Sequence, residues 1–289
     1  MAIRLIAISA AVAVAVAVAG AGAVAFGAAA LGVWPSAHGD MVKIPAGQAT
    51  LGYVSYTGLY GPMPYSVAGF SIDRFEVTNA QYAKFTAATG HTSAAFADDP
   101  EFNHPDQPVT GVLHDDATSF CAWAGKRLPT EVEWEKAARG TDGRIYPWGD
   151  DADLTRAHLT GTGPVPVTDH ADDISPYGVR GLAGNVSEWV ADTRTARAGV
   201  CRDNVVLDQQ ATPEMRALLT ELTAANGGVL PEICLPPDQA DASIPGEPCA
   251  YIKGNSWNGR PHMTVASNRM CDYTNTYAEF VGFRCATDG

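Results

Sequence analysis

One stretch, Gly125–Gly149, limits the fold more than any other part of the chain; it reads GKRLPTEVEWEKAARGTDGRIYPWG. Thr130 is followed three residues later by Glu133, which is the spacing of a capping box, so a helix is predicted to begin here. Trp134 and the alanines after it recur at helical spacing, and Gly140 stands where such a helix would end. The stretch therefore predicts a well-capped, half-buried surface helix.

Elsewhere the pattern predicts short strands, modest helices and many turns, because glycine and proline interrupt most apolar runs. The predicted elements are strands within 40–51 and 70–77, a helix capped by Thr78 or Asn79 and closed by Gly90, and a helix capped by Asp115 or Asp116.

The charge balance excludes one class of partner. With 19 Lys and Arg against 32 Asp and Glu, the formal net charge is −13. Binding to nucleic acid requires clustered basic residues, so no nucleic-acid partner is expected.

The amino-terminal segment, residues 1–39, predicts export. No charged residue occurs from Leu5 to Gly39, and Arg4 precedes this apolar run. The run is long enough for a cleaved secretory signal and also for a retained membrane anchor, and both alternatives stay open. Either one places the rest of the chain in the periplasm or otherwise outside the cytoplasm, with membrane contact only through this segment.

The six cysteines point to disulfides, since export exposes them to an oxidising compartment. No two of them form a C-x-x-C pair, so their spacing does not predict a zinc or thioredoxin-like site.

Six motifs occur in a fixed order: EVTNAQYAKF, CAWAGKRLPTE, YPWG, GNVSEW, GNSW and GFRC. In this order they resemble the formylglycine-generating enzyme, or sulfatase-modifying factor, family. The resemblance covers residues 41–286 apart from one insertion. It implies a single α+β domain at 40–289, compact and loop-rich, related to C-type lectins and poor in regular secondary structure.

The resemblance also locates the copper chemistry of the family. Its oxidases carry two cysteines, five residues apart, after the turn that corresponds to GNSW. Two thiolates of this kind can hold Cu(I). The matching positions here are Gly259 and Thr264, which provide no thiolate. Copper is therefore not expected, unless Cys271 meets a cysteine of the insertion and rebuilds a pair.

For the disulfides, the resemblance implies a bridge between Cys121 and Cys285. The other four cysteines, Cys201, Cys234, Cys249 and Cys271, would then form two further bridges, with three pairings open.

The resemblance also implies a structural calcium ion at the GNVSEW segment, with Ala183, Gly184, Val186 and Glu188 at the positions of the family's ligands. Hard oxygen ligands of this kind suit Ca²⁺. The alternative is a plain turn in which Glu188 caps or forms a salt bridge. A second calcium site of the family is not expected, because His158–Leu159 stands where that site has an Asn-Ile pair.

Residues 194–250 depart most from the family and contain three of the cysteines. A long insertion in a compact domain is often functional. We expect it either to contact the partner or substrate, or only to cover an apolar patch.

No catalytic residue can be assigned from the sequence. The leading hypothesis is an exported accessory or maturation factor that acts on another exported protein or a small molecule. The alternatives are an oxidoreductase that uses a rebuilt cysteine pair or a bound metal, and a lectin-like binding module without chemistry. Whether the protein is an enzyme is left open.

Overall fold

A computed structural model describes residues 40–52, 63–197 and 246–289. The predicted signal or anchor within residues 1–39 lies outside the described residues, as does most of the insertion. In the part of the chain that the structure describes, no helix is long and apolar enough to cross a bilayer.

The elements are short and follow one another through many turns. In chain order they are β1 Met41–Ile44, β2 Gly47–Leu51, β3 Met63–Val67, β4 Phe70–Asp73, α1 Asn79–Thr89, α2 His114–Trp123, α3 Glu131–Arg139, β5 Ser187–Arg197, β6 Gly246–Lys253, β7 Arg269–Tyr273, β8 Val281–Phe283 and β9 Ala286–Asp288, with 3₁₀ turns at Leu154–Arg156 and Pro261–Met263.

Three sheets form within the described residues. One has the strand order β1-β4-β9, a second is the β2-β3 hairpin, and the third has the order β7-β6-β5-β8. The pair β5-β8 is parallel, whereas β5-β6 and β6-β7 are antiparallel. Strands β8 and β9 therefore connect two of the sheets through the final stretch of chain.

Two apolar clusters fill the space between these layers. One joins α1 and α2 to the large sheet through Tyr82, Phe120 and Trp189. The other joins α3 to β1 and β4 through Trp134 and Phe70. The mixed α+β architecture agrees with the fold class that the sequence predicts.

Helix α1 begins as predicted, with Thr78 as its N-cap and a complete capping box. Gly90, at φ 73°, ends it in the left-handed conformation that glycine adopts easily.

The predicted start of α2 is wrong. Its N-cap is Leu113, and Asp116 lies at the third helical position, where its carboxylate accepts from the Leu113 N–H at 2.9 Å. An acidic side chain can accept from a free N–H at the start of a helix both from the N-cap position and from the third helical position. The sequence alone therefore does not show which of the two positions an aspartate occupies.

Two strand predictions are also corrected. The segment 40–51 forms two strands with a break at Pro45, which has no N–H to donate to a sheet. The strand predicted over 70–77 ends at Asp73. The Asp73 carboxylate accepts hydrogen bonds from the Lys126 ammonium group and from the Cys285 backbone N–H.

Helix α3 has the predicted capping box, formed by Thr130 and Glu133. Its environment differs from the prediction, since most of the helix is buried, including four charged residues. Glu135 contacts Lys253 at 2.8 Å and Arg139 at 2.6 Å, and Lys136 donates to the Pro45 carbonyl at 2.7 Å. Burial of these charges is tolerated because each has a close polar partner.

Candidate functional site

The turn that follows β6 is the place where the family resemblance locates its thiolates. Gly254, at φ 75°, reverses the chain directly after the strand. The backbone N–H of Trp257 donates to the Asn185 carbonyl at 2.9 Å, and this hydrogen bond joins the turn to the GNVSEW loop. A 3₁₀ turn at Pro261–Met263 then leads to Thr264.

At the two positions in question the structure holds no sulfur. Thr264 is fully buried, and its hydroxyl accepts a hydrogen bond from the Asn255 amide at 3.0 Å. Gly259 has no side chain, and its N–H donates to the Ser256 carbonyl at 2.9 Å. A hydroxyl and a glycine do not provide the soft donors that Cu(I) requires, so these residues do not fit a copper–thiolate centre.

The GNVSEW loop lies next to this turn and holds the residues of the calcium prediction. Asn185 adopts φ 69°, a conformation that asparagine tolerates better than most residues. Its amide donates to Glu76 Oε1 at 3.0 Å, and its backbone N–H donates to the His158 carbonyl at 2.8 Å. The Ala183 N–H donates to the Asp173 carboxylate at 2.9 Å.

Glu188 leaves this loop as the second residue of β5, and both of its oxygens are engaged. Arg284 forms a bidentate pair with it: Arg284 Nε lies 2.7 Å from Glu188 Oε2, and Arg284 Nη2 lies 2.6 Å from Glu188 Oε1. The Trp134 indole N–H donates to Oε2 at 2.8 Å. Both partners of the ion pair are buried. The two parallel hydrogen bonds of a bidentate arginine–carboxylate pair make the contact strong and fix its geometry.

This pairing bears on the calcium prediction. A cation on Glu188 would lie within a few ångströms of the Arg284 guanidinium, and the two positive charges would compete for one carboxylate. Ala183, Gly184 and Val186 are buried beside it and could offer only backbone carbonyls. In this arrangement the set does not fit a calcium ion held by Glu188, and the salt-bridged alternative describes this residue better. The calcium prediction itself stays untested.

Two further buried carboxylates, those of Glu76 and Asp173, belong to the same cluster, and no local sequence pattern predicts them. Burial raises the pKa of Glu76 to about 8, against the opposing effect of Arg284. Burial also raises the pKa of Asp173 to about 6, although backbone N–H groups of the loop, that of Ala183 first, act against it. Among the described residues, Glu76 Oε2 and Asp173 Oδ1 have no hydrogen-bond partner.

These carboxylates do not assemble a metal centre. Across residues 40–52, 63–197 and 246–289, no group of three or more His, Cys, Asp or Glu side chains is arranged to hold a metal ion. The cluster is best described as a buried electrostatic support for the GNVSEW loop.

Two disulfides occur in the described part of the chain. Cys121 is bonded to Cys285, as the resemblance implies, and their Cα atoms are 5.7 Å apart. Cys271 is bonded to Cys249 across β6 and β7, with a Cα separation of 5.8 Å. The remaining two cysteines, Cys201 and Cys234, lie outside the described residues.

Cys271 is thus paired with Cys249, a cysteine of the insertion, but this pair does not lie at the turn that follows β6. Cys249 precedes Gly254 by five residues of strand, which at roughly 3.4 Å per residue puts the bridge about 17 Å from the turn. The pair does not restore thiolates beside Gly259 and Thr264.

Comparison with known proteins shows the family of the chain. The model of the family described as "Sulfatase-modifying factor enzyme 1-like domain" matches residues 33–289. The chain belongs to this family. The formylglycine-generating enzyme of Mus musculus is 30% identical, over 57% of this chain and 61% of the mouse protein. The inactive C-alpha-formylglycine-generating enzyme 2 of Bos taurus is 32% identical, over 53% of this chain and 70% of the bovine protein. The chain spans about three-fifths of the length of the mouse and bovine formylglycine-generating enzymes.

Solved structures show the same fold at low sequence identity. PvdO from Pseudomonas aeruginosa superposes with a TM-score of 0.59 at 22% identity, covering 86% of this chain and 94% of PvdO. Variable protein 1 of Treponema denticola gives 0.58 at 20% identity, covering 86% of this chain and 95% of the other. These likenesses establish the architecture of the family member, which is a sulfatase-modifying-factor-like protein.

Proposed function

We propose that this family member acts outside the cytoplasm as an accessory or maturation factor for another exported protein or a small molecule, without copper–thiolate chemistry. The observation that carries the proposal is the pair Gly259 and Thr264, which stand where the oxidases of the family need cysteines. The proposal is supported by the bovine relative, whose name describes it as inactive.

Export is supported by the uncharged apolar run from Leu5 to Gly39 and by the disulfides. Disulfides persist in oxidising compartments and are rare in reducing ones. We assign partner contact to the insertion at 194–250, because it departs most from the family and lies between strands β5 and β6 in the sequence.

The lack of copper chemistry can be tested directly. The full chain, isolated from the periplasm of its host, would be incubated with Cu(I), oxygen and a cysteine-containing sulfatase peptide, and the peptide mass would be followed. Mouse formylglycine-generating enzyme is the positive control. We expect the peptide to remain unmodified. Conversion of its cysteine to an aldehyde would refute the proposal.

The accessory role needs a second experiment. A photo-crosslinking amino acid would be placed at single positions between 198 and 245, and at exposed Lys84 of α1 as the control. We expect one discrete crosslinked partner from the insertion and none from the control. A protein that crosslinks equally from both regions would argue against a role for the insertion.

One observation favours a second candidate, an oxidoreductase with a rebuilt cysteine pair: Cys249 and Cys271 do lie together. In that case the pair would cycle between dithiol and disulfide. Thiol alkylation of freshly isolated protein distinguishes the two, since an accessory protein should show this bridge fully oxidised and a redox enzyme should show a reduced fraction.

A further inference from the structure

The side chain of Asn255 lies at the centre of the turn that follows β6. It is 1% exposed. Its Nδ2 donates to the Arg260 carbonyl at 2.9 Å and to Thr264 Oγ1 at 3.0 Å. Its Oδ1 accepts from the Ser256 N–H at 2.9 Å. One amide thus bonds to the beginning, the middle and the end of the turn.

The same amide occupies the space beside Gly259. A Cβ atom built on Gly259 would lie 1.7 Å from Asn255 Oδ1 and 2.6 Å from its Cγ. The end of a side chain can normally rotate away from such a contact. Here rotation would break three hydrogen bonds inside the protein and leave polar atoms without partners, which costs free energy.

We infer that Asn255 is the residue that closes this turn to a thiolate or a metal. While its amide is in place, position 259 accepts only glycine, and the hydroxyl at position 264 is used as a hydrogen-bond acceptor. Restoring cysteines at 259 and 264 would therefore not be sufficient to make a thiolate site. The turn is a fixed polar structure instead of a metal centre, whether or not the protein acts on a partner.

A double-mutant cycle on the full chain tests the contact. The four proteins are wild type, Asn255→Ala, Gly259→Ala and the double variant, compared by thermal unfolding. We expect Gly259→Ala to lower the melting temperature by roughly 4–10 °C in the wild type, because of overpacking. In the Asn255→Ala background the same change should lower it by less than about 2 °C, because the colliding atoms are gone.

Gly69→Ala is the matched control, since a Cβ there meets its neighbours at an ordinary 3.4 Å and beyond. It should have the same small effect with and without Asn255. If Gly259→Ala costs the same in both backgrounds, the inferred closure is wrong.

Copper binding gives the second readout. Gly259→Cys/Thr264→Cys and the same pair combined with Asn255→Ala would compete for Cu(I) with a chromogenic chelator. We expect the triple variant to bind Cu(I) about tenfold or more tightly than the double variant. Equal affinity of the two would show that Asn255 is not the obstacle, a result separate from any failure of the proposed accessory function.

Discussion

At the scale of single residues, the charges below the GNVSEW loop are unevenly matched. Glu76, Glu188 and Asp173 all interact electrostatically with one guanidinium, that of Arg284. Arg284 Nη2 lies 2.6 Å from Glu188 Oε1 but 3.8 Å from Glu76 Oε2. The carboxyl of Glu76 is therefore the one whose charged form is least supported.

This imbalance predicts a dependence of stability on pH. The folded pKa of Glu76 is raised from 4.5 to about 8, so the folded state holds its proton more tightly than the unfolded state does. Its stabilising contribution is complete below pH 4.5 and is lost as the pH rises through about 8. We expect Glu76→Gln to lose less stability than wild type between these pH values in urea unfolding.

The exposed Glu101→Gln is the control for that experiment and should follow the wild type. A Glu76→Gln protein whose stability falls as steeply as that of wild type over this range would contradict the assignment.

The calcium prediction can be tested at the same residues. Since Arg284 already neutralises Glu188, we expect removal of calcium with EGTA to leave the melting temperature unchanged. A rise of several degrees when Ca²⁺ is added back would show that Glu188 exchanges the guanidinium for a cation. In that event Glu188→Gln should abolish the rise.

At the scale of elements, local pattern predicted what depends on local contacts. The capping boxes at Thr78 and Thr130 were readable because both partners lie within one helical turn. The burial of α3 was not readable, because it depends on Lys253, which is 118 residues from Glu135. The pair Glu188 and Arg284 is 96 residues apart and leaves no local signal either. The family motifs located the site, but not its hydrogen bonds.

The contribution of the α3 cap to stability can be tested by mutation. Thr130→Ala removes the hydroxyl that accepts from the Glu133 N–H and should cost about 1 kcal/mol. For a chain of this size we expect the melting temperature to fall by roughly 2–4 °C. Thr130→Ser keeps the hydroxyl and should stay close to wild type. Equal stability of the alanine and serine variants would mean that the cap contributes little.

At the scale of the whole molecule, the two disulfides close very different lengths of chain. The partners Cys121 and Cys285 are 164 residues apart, and Cys249 and Cys271 are 22 apart. In the chain-entropy model the longer loop restricts the unfolded chain more.

Removal of the bridges should show this difference. We expect Cys121→Ala/Cys285→Ala to cost about 5 kcal/mol of unfolding free energy and Cys249→Ala/Cys271→Ala about 3 kcal/mol, measured by urea unfolding. A larger cost for the shorter bridge would mean that native contacts, and not loop length, determine the contribution of each.

The pairing of the six cysteines can be tested by disulfide mapping. If all six cysteines are paired, the two observed bridges leave Cys201 only Cys234 as a partner. Mass spectrometry of the unreduced protein should then find three bridges and no free thiol. A peptide linking Cys201 to Cys249 or Cys271 would contradict the pairing described here.

The strands β8 and β9 give the order of synthesis a role in folding. Strand β8 lies beside β5, β9 lies beside β4, and Cys285 between them bonds to Cys121. Strands β4 and β5 are therefore synthesised well before residues 281–288, which provide these partner strands. A nascent chain that has not yet reached residue 281 lacks these pairings, so its two sheets are completed only after most of the domain has been synthesised.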